Sequence, residues 1–170
     1  FLYSHCCRRS ASKKSVVIFL LFGDLRAMKQ FTTILRLDFL PGSKDCGLLA
    51  LRLWVGLSML LLHGWGKITN FDSMSGKFLD LMGIGSKAGL VMAIFAEAVC
   101  SILLILGLFT RFAALSLMIT MSVAFFLQHK GVLKGPGSGE LAFIYLAAYV
   151  ALFLAGGGKF SVDAKMGGKI

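Results

Sequence analysis

Hydrophobic positions fall into long blocks along this chain instead of alternating with polar ones. From Ala88 to Gln128 the sequence reads AGLVMAIFAEAVCSILLILG, turns through LFTR, and continues FAALSLMITMSVAFFLQ. Each run is about 20 residues, the length a helix needs to cross a bilayer core. Their connection is short enough to force an antiparallel hairpin. An earlier block and a later one complete the pattern, giving spans expected at about 47–65, 88–106, 112–128 and 140–155. The fold class that follows is all-α, an integral membrane four-transmembrane-helix bundle over residues 47–158.

Polar residues inside these blocks share faces. In the first span Arg52, Gly56, Met59 and His63 lie on one side of the helix, with leucines around the rest. In the second, Ala93, Glu97 and Ser101 recur every four residues. Such faces point into a bundle and not at lipid. Ser116, Thr120 and Ala124 line one side of the third span. In the fourth, Glu140, Ile144, Ala147, Ala151 and Ala155 share a face, and the alanines read as a small-residue packing stripe. Trp54 and Trp65 are read as packing and interface anchors.

The connections carry their own signals. Phe71, Met74, Phe78, Leu81 and Met82 recur at three- and four-residue intervals, which predicts a short interfacial helix capped by Asp72 or Ser73 and stopped at Gly83. Thr110 is the expected cap of the third span. Residues 129–139 read as a loop, Gly156-Gly157-Gly158 ends the fourth span, and 159–170 reads as a polar C-terminal tail. Residues 1–46 stand apart as an N-terminal tail, with an amphipathic stretch from Phe31 to Leu40 suited to the membrane surface. Within them, residues 1–27 pair a basic stretch with an apolar run too short to span, without a signal-peptide cleavage site. They are expected to be an over-extended or poorly ordered tail, with a plausible start at Met28. N-terminal sequencing of the native protein that began upstream of Met28 would contradict this.

Composition adds little to the fold but narrows the partners. The 170 residues are 57% hydrophobic and 15% charged, with a formal net charge of +10. Lys and Arg concentrate in tails and loops, which suits anionic lipid headgroups and not nucleic acid. With both ends and the 107–111 turn on one side, that side holds twelve Lys/Arg against five, or seven against five without residues 1–27. By the positive-inside rule both termini are expected in the cytoplasm. The four cysteines form no C-x-x-C pair and no disulfide framework.

Four charged or titratable side chains face the expected bundle. Arg52 lies about 8 Å and Glu97 about 15 Å from the cytoplasmic edge at ~1.5 Å per residue, so an intramembrane Arg52–Glu97 pair is expected as a buried polar site. His63, Lys67 and Glu140 are expected to gather at its outer mouth. An intramembrane carboxylate is by default a functional-site candidate, although a buried pair also serves to fix helix register. His63, His129 and Glu140 come from three segments without ligand spacing, so no metal is assigned. Nucleophile-elbow, zinc-protease, Walker and c-type haem motifs are absent from the sequence.

Taken together, LRLWVGLSMLLLHGWGKI, then FAEAVCSILLILGLFTRFAAL, then GSGELAFIYLAAYVALFLAGGGKFSVD resemble the DoxX family of small four-helix membrane proteins. The resemblance runs from about Leu48 to Asp163. It rests on Arg52, His63-Gly64, Lys67, Glu97, the Gly107-Leu108-x-Thr110-Arg111 turn, Glu140 and Lys159-Phe160-Ser161-Val162-Asp163. It implies a bundle in the bacterial cytoplasmic (inner) membrane, and a membrane component of a quinone-linked redox or oxidative-stress and sulfur detoxification system. Quinone is the cofactor it suggests, and membrane lipids, redox proteins or a second copy are the partners. Whether the chain is an enzyme is left open. The competing expectation is a non-catalytic scaffold whose buried charges fix helix packing. A proton-coupled carrier is disfavoured because four helices without an internal repeat make a poor alternating-access machine.

Overall fold

The computed structural model describes residues 43–80 and 83–167, and they are helical without a strand. Helix α1 runs Lys44–Thr69, α2 is the short Phe71–Met74, α3 is Ser86–Leu106 and α4 is Thr110–Gln128. They are followed by α5, Glu140–Ala155, and a final turn α6, Val162–Lys165. Three of these, α1, α3 and α4, are long and apolar enough to cross a membrane, whereas α5 has 16 residues. At ~1.5 Å per residue α5 is about 24 Å long, shorter than a ~30 Å hydrocarbon core. The amphipathic stretch at 31–40 and the tail at 1–27 lie outside the described residues, as do Leu81 and Met82.

Small residues set the helix register. A Cβ on Gly56 would stand 2.7 Å from the Ile105 side chain, and one on Gly64 would stand 2.7 Å from the carbonyl oxygen of Glu97. Helices α1 and α3 therefore run antiparallel in close contact, with Gly56 beside Ser101 and Ile105 and Gly64 beside Glu97. The α4–α5 pair forms the most extensive helix contact. The core is built from Val55, Met59, Leu104, Leu117, Tyr149 and Leu152 with small residues between them.

The inward face of α5 differs from the expected one. Ala142, Tyr145, Tyr149 and Leu152 are buried, while Glu140, Ile144, Ala147, Ala151 and Ala155 point outward. The tyrosines decide it: Tyr145 donates to Ser58 Oγ at 2.9 Å and Tyr149 to the Val55 carbonyl at 3.4 Å. A phenol buried in an apolar bundle needs a partner, and α1 supplies one for each. The alanine stripe is thus on the outside. Trp54 and Trp65 also face outward.

Three helices contain a wide π-helical turn, at Leu60–Gly64 in α1, Phe95–Cys100 in α3 and Ala124–Gln128 in α4. Such turns cost regular hydrogen bonding and occur often at functional sites. Here all three border one cavity.

Residues 159–165 are not a free tail. The Asp163 carboxylate accepts the Phe109 and Thr110 N–H groups at 2.7 and 2.8 Å, and the Asp163 N–H donates to Gly107 O at 3.0 Å. The start of α4 is therefore capped from 53 residues downstream, not by Thr110 itself. Asp45 accepts from the Lys159 N–H at 2.9 Å and ties the same segment to α1.

Candidate functional site

The expected Arg52–Glu97 pair does not form. Glu97 is level with Gly64, twelve residues beyond Arg52 on α1, a separation of about 18 Å along the helix. Each residue is buried, Arg52 at 0% and Glu97 at 5% exposure, but in different places.

Arg52 belongs to the end of the bundle that holds the 107–111 turn. Its Nη2 donates to the Phe160 carbonyl at 3.0 Å, and Asp163 adds a favourable charge nearby. A Cβ on Gly107 would fall 1.8 Å from Arg52 Nη1. Glycine is thus required at 107 by this contact and by its left-handed φ of 71°. Burial on its own would raise the Asp163 carboxyl, but N–H donation from Thr110 and Phe109 and the Arg52 charge hold it below the usual carboxylate range. Nε and Nη1 of Arg52 and the Thr110 hydroxyl find no hydrogen-bond partner among the described residues. Arg52 and Asp163 tie this end of the bundle together, beside a cavity of about 420 Å³ bordered by Thr110, Gly157 and Ser161.

Glu97 pairs instead with Lys67, whose ammonium forms a salt bridge to its carboxylate. The local sequence explains the contact. Gly64 brings the α1 backbone onto Glu97, and Lys67, three residues on, lies on the same face and reaches back along the helix. His63, on the neighbouring turn, faces Tyr145 edge-on with ring centroids 6.0 Å apart. His63 and Lys67 thus join Glu97, but Glu140 does not: it is exposed at the first turn of α5, where a carboxylate suits the helix dipole.

The Lys67–Glu97 pair forms part of the wall of a cavity of about 550 Å³. The remaining wall is mostly apolar and includes Met59, Ala93, Met121 and Ala142, with His63 and Tyr145 beside the ion pair. Pockets of this size, apolar with a few convergent polar groups, are the usual form of a small-molecule site. An ion pair withdrawn from water is a poor net stabiliser beside an apolar alternative. Among the described residues no three His, Cys, Asp or Glu side chains are grouped to hold a metal.

A family model described as DoxX matches residues 47–130, which carry most of α1, all of α3 and α4, and every charged or histidine side chain of the cavity wall. A protein of Haemophilus influenzae described as uncharacterized is 40% identical over 113 residues, covering 63% of this chain and 81% of the relative. No solved structure matches.

Proposed function

The chain belongs to the DoxX family, and on that premise we propose that it is a four-span component of a quinone-linked redox or detoxification system in the bacterial cytoplasmic membrane, binding its quinone beside Lys67 and Glu97. The observation that carries this reading is the Lys67–Glu97 pair, its carboxylate buried, set in the wall of a mostly apolar cavity of about 550 Å³. The residues fit such a group. Apolar walls receive a ring and tail, the Lys67 ammonium is a hydrogen-bond donor for a ring oxygen, and Glu97 with His63 can hold or release a proton beside it. A quinone bound there would supply two-electron chemistry, while the chain binds, orients and keeps water from its head. Both termini lie in the cytoplasm in this reading, where soluble redox proteins would meet the 107–111 turn. α5 serves as the fourth span, its short length matched by tilting neighbours or local thinning of the bilayer.

The test is equilibrium binding of a water-soluble, tailless benzoquinone analogue to the purified protein in detergent. Saturable binding lost in Glu97→Gln, with helicity retained, is expected; absence of binding by the wild type would reject the reading. A scaffold role is the second reading. It is favoured at the other end of the bundle, where Arg52, Asp163 and Asp45 hold helices together without adjoining that cavity.

A further inference from the structure

Helices α3 and α4 do not stay together along their length. The Phe95–Leu106 half of α3 packs on α4, but its Ser86–Ile94 half packs on Trp65–Thr69 of α1 and barely touches α4. The two helices therefore fork, and the cavity sits in the fork. Met92 on one arm and Ile119 on the other line it, yet they are 55% and 56% exposed on the outer surface of the bundle. Both belong to helices long and apolar enough to cross a membrane, so their exposed sides face lipid. Toward the loop end the cavity is narrowed, with the exposed Lys77 and Gln128 at its rim. The Phe78–Leu79 segment lies over it, and Leu79 O is so near Gly89 that a Cβ there would stand 2.7 Å away. On the α4 side Gly139 packs as tightly on Phe125 and His129, and His129 Nδ1 is bonded to Gly137 O at 2.7 Å.

We infer that the occupant of this cavity enters sideways from the bilayer, through the gap between Met92 and Ile119, and is a lipid-soluble molecule with a compact hydrogen-bonding head and a long apolar tail. This rests on the cavity being a ligand site, as proposed above. The head reaches Lys67 and Glu97, and the tail lies between the two apolar gate residues and continues into the acyl chains.

The test uses the full chain in lipid nanodiscs, with a benzoquinone bearing a ten-carbon tail and the same head without a tail. Bulk at the gate, Met92→Trp with Ile119→Trp, is expected to slow both association and dissociation of the tailed quinone about tenfold, and to slow those of the tailless head much less. Ile102→Trp, also outward on α3 but away from the cavity, leaves both unchanged. If the tryptophan pair fails to fold, Met92→Ala with Ile119→Ala gives the reverse sign, faster association of the tailed quinone. Association of the tailed quinone at wild-type rates in both gate variants, with binding still dependent on Glu97, overturns lateral access and leaves the ligand site standing. No saturable binding of the tailless head by wild type overturns both.

Discussion

The two ends of this bundle use the same kinds of residue to opposite effect. At the end holding the 107–111 turn, a buried arginine, two aspartates and a glycine-rich segment are packed until a single methyl on Gly107 would collide with Arg52. At the other, a half-buried lysine and a buried glutamate stand against about 550 Å³ of open space among methionines and a histidine. Each end buries charge at a cost. The first uses its charges to cap α4 and to tie α1 to residues 159–163. The difference teaches that a buried charge in a membrane helix is informative about function only once its partners and the space beside it are known.

The largest effect should come from filling the packed end. Gly107→Ala combines a strained left-handed residue with a clash against Arg52, and should cost about 4 kcal/mol, summing typical penalties for the two. Thermal unfolding in detergent measures it, and a wild-type midpoint would show that this end is not packed as described. Arg52→Ala should lower stability by about 3 kcal/mol, since it opens a cavity and leaves Phe160 O and Asp163 without their cation. Tailless quinone binding should survive in this variant when measured below its unfolding temperature; its loss would mean that the two ends are not independent.

Asp163→Ala should cost about 1–2 kcal/mol, the value of a helix cap, again with binding retained. The same carboxylate gives a pH test. Its folded value is held below the ordinary one, so its stabilisation is fully present above about pH 5 and is lost as pH falls through the depressed folded value. Unfolding midpoints from neutral to acid pH should therefore fall more gently in Asp163→Asn than in wild type, and parallel curves would contradict the assignment. The smallest effect belongs to Ala147→Leu, expected within about 0.5 kcal/mol of wild type because Ala147 faces outward. A large loss there would restore the alanine stripe as a packing face.

Much of this architecture was legible in the hydrophobic pattern. The Arg52–Gly56–Met59 and Ala93–Glu97–Ser101 faces are buried, and α1, α3 and α4 overlap the expected spans with ends extended by two to four residues. The pairing of charges was not legible, because depth counted from helix ends cannot give register between helices. Register is set here by Gly56 and Gly64, and the spacing of Gly64 and Lys67 on one face was the available signal for Lys67 as the partner of Glu97. The role of residues 159–163 was hidden for a different reason. Asp163 caps a helix 53 residues upstream, and no local pattern marks a cap contributed by tertiary contact. On α5, small residues suggested the packing face, but two phenols needing acceptors on α1 outweighed them. The expected interfacial helix is confined, among the described residues, to Phe71–Met74, with Asn70 before it and neither Asp72 nor Ser73 as its cap.

Binding of the tailless quinone analogue, measured side by side in wild type, Glu97→Gln and Asp163→Ala with their unfolding midpoints, tests the division between the two ends most directly. The expected result is binding lost in Glu97→Gln at temperatures where it is still folded, and binding kept in folded Asp163→Ala with its midpoint lowered. Binding insensitive to Glu97→Gln, or abolished in folded Asp163→Ala, would contradict it.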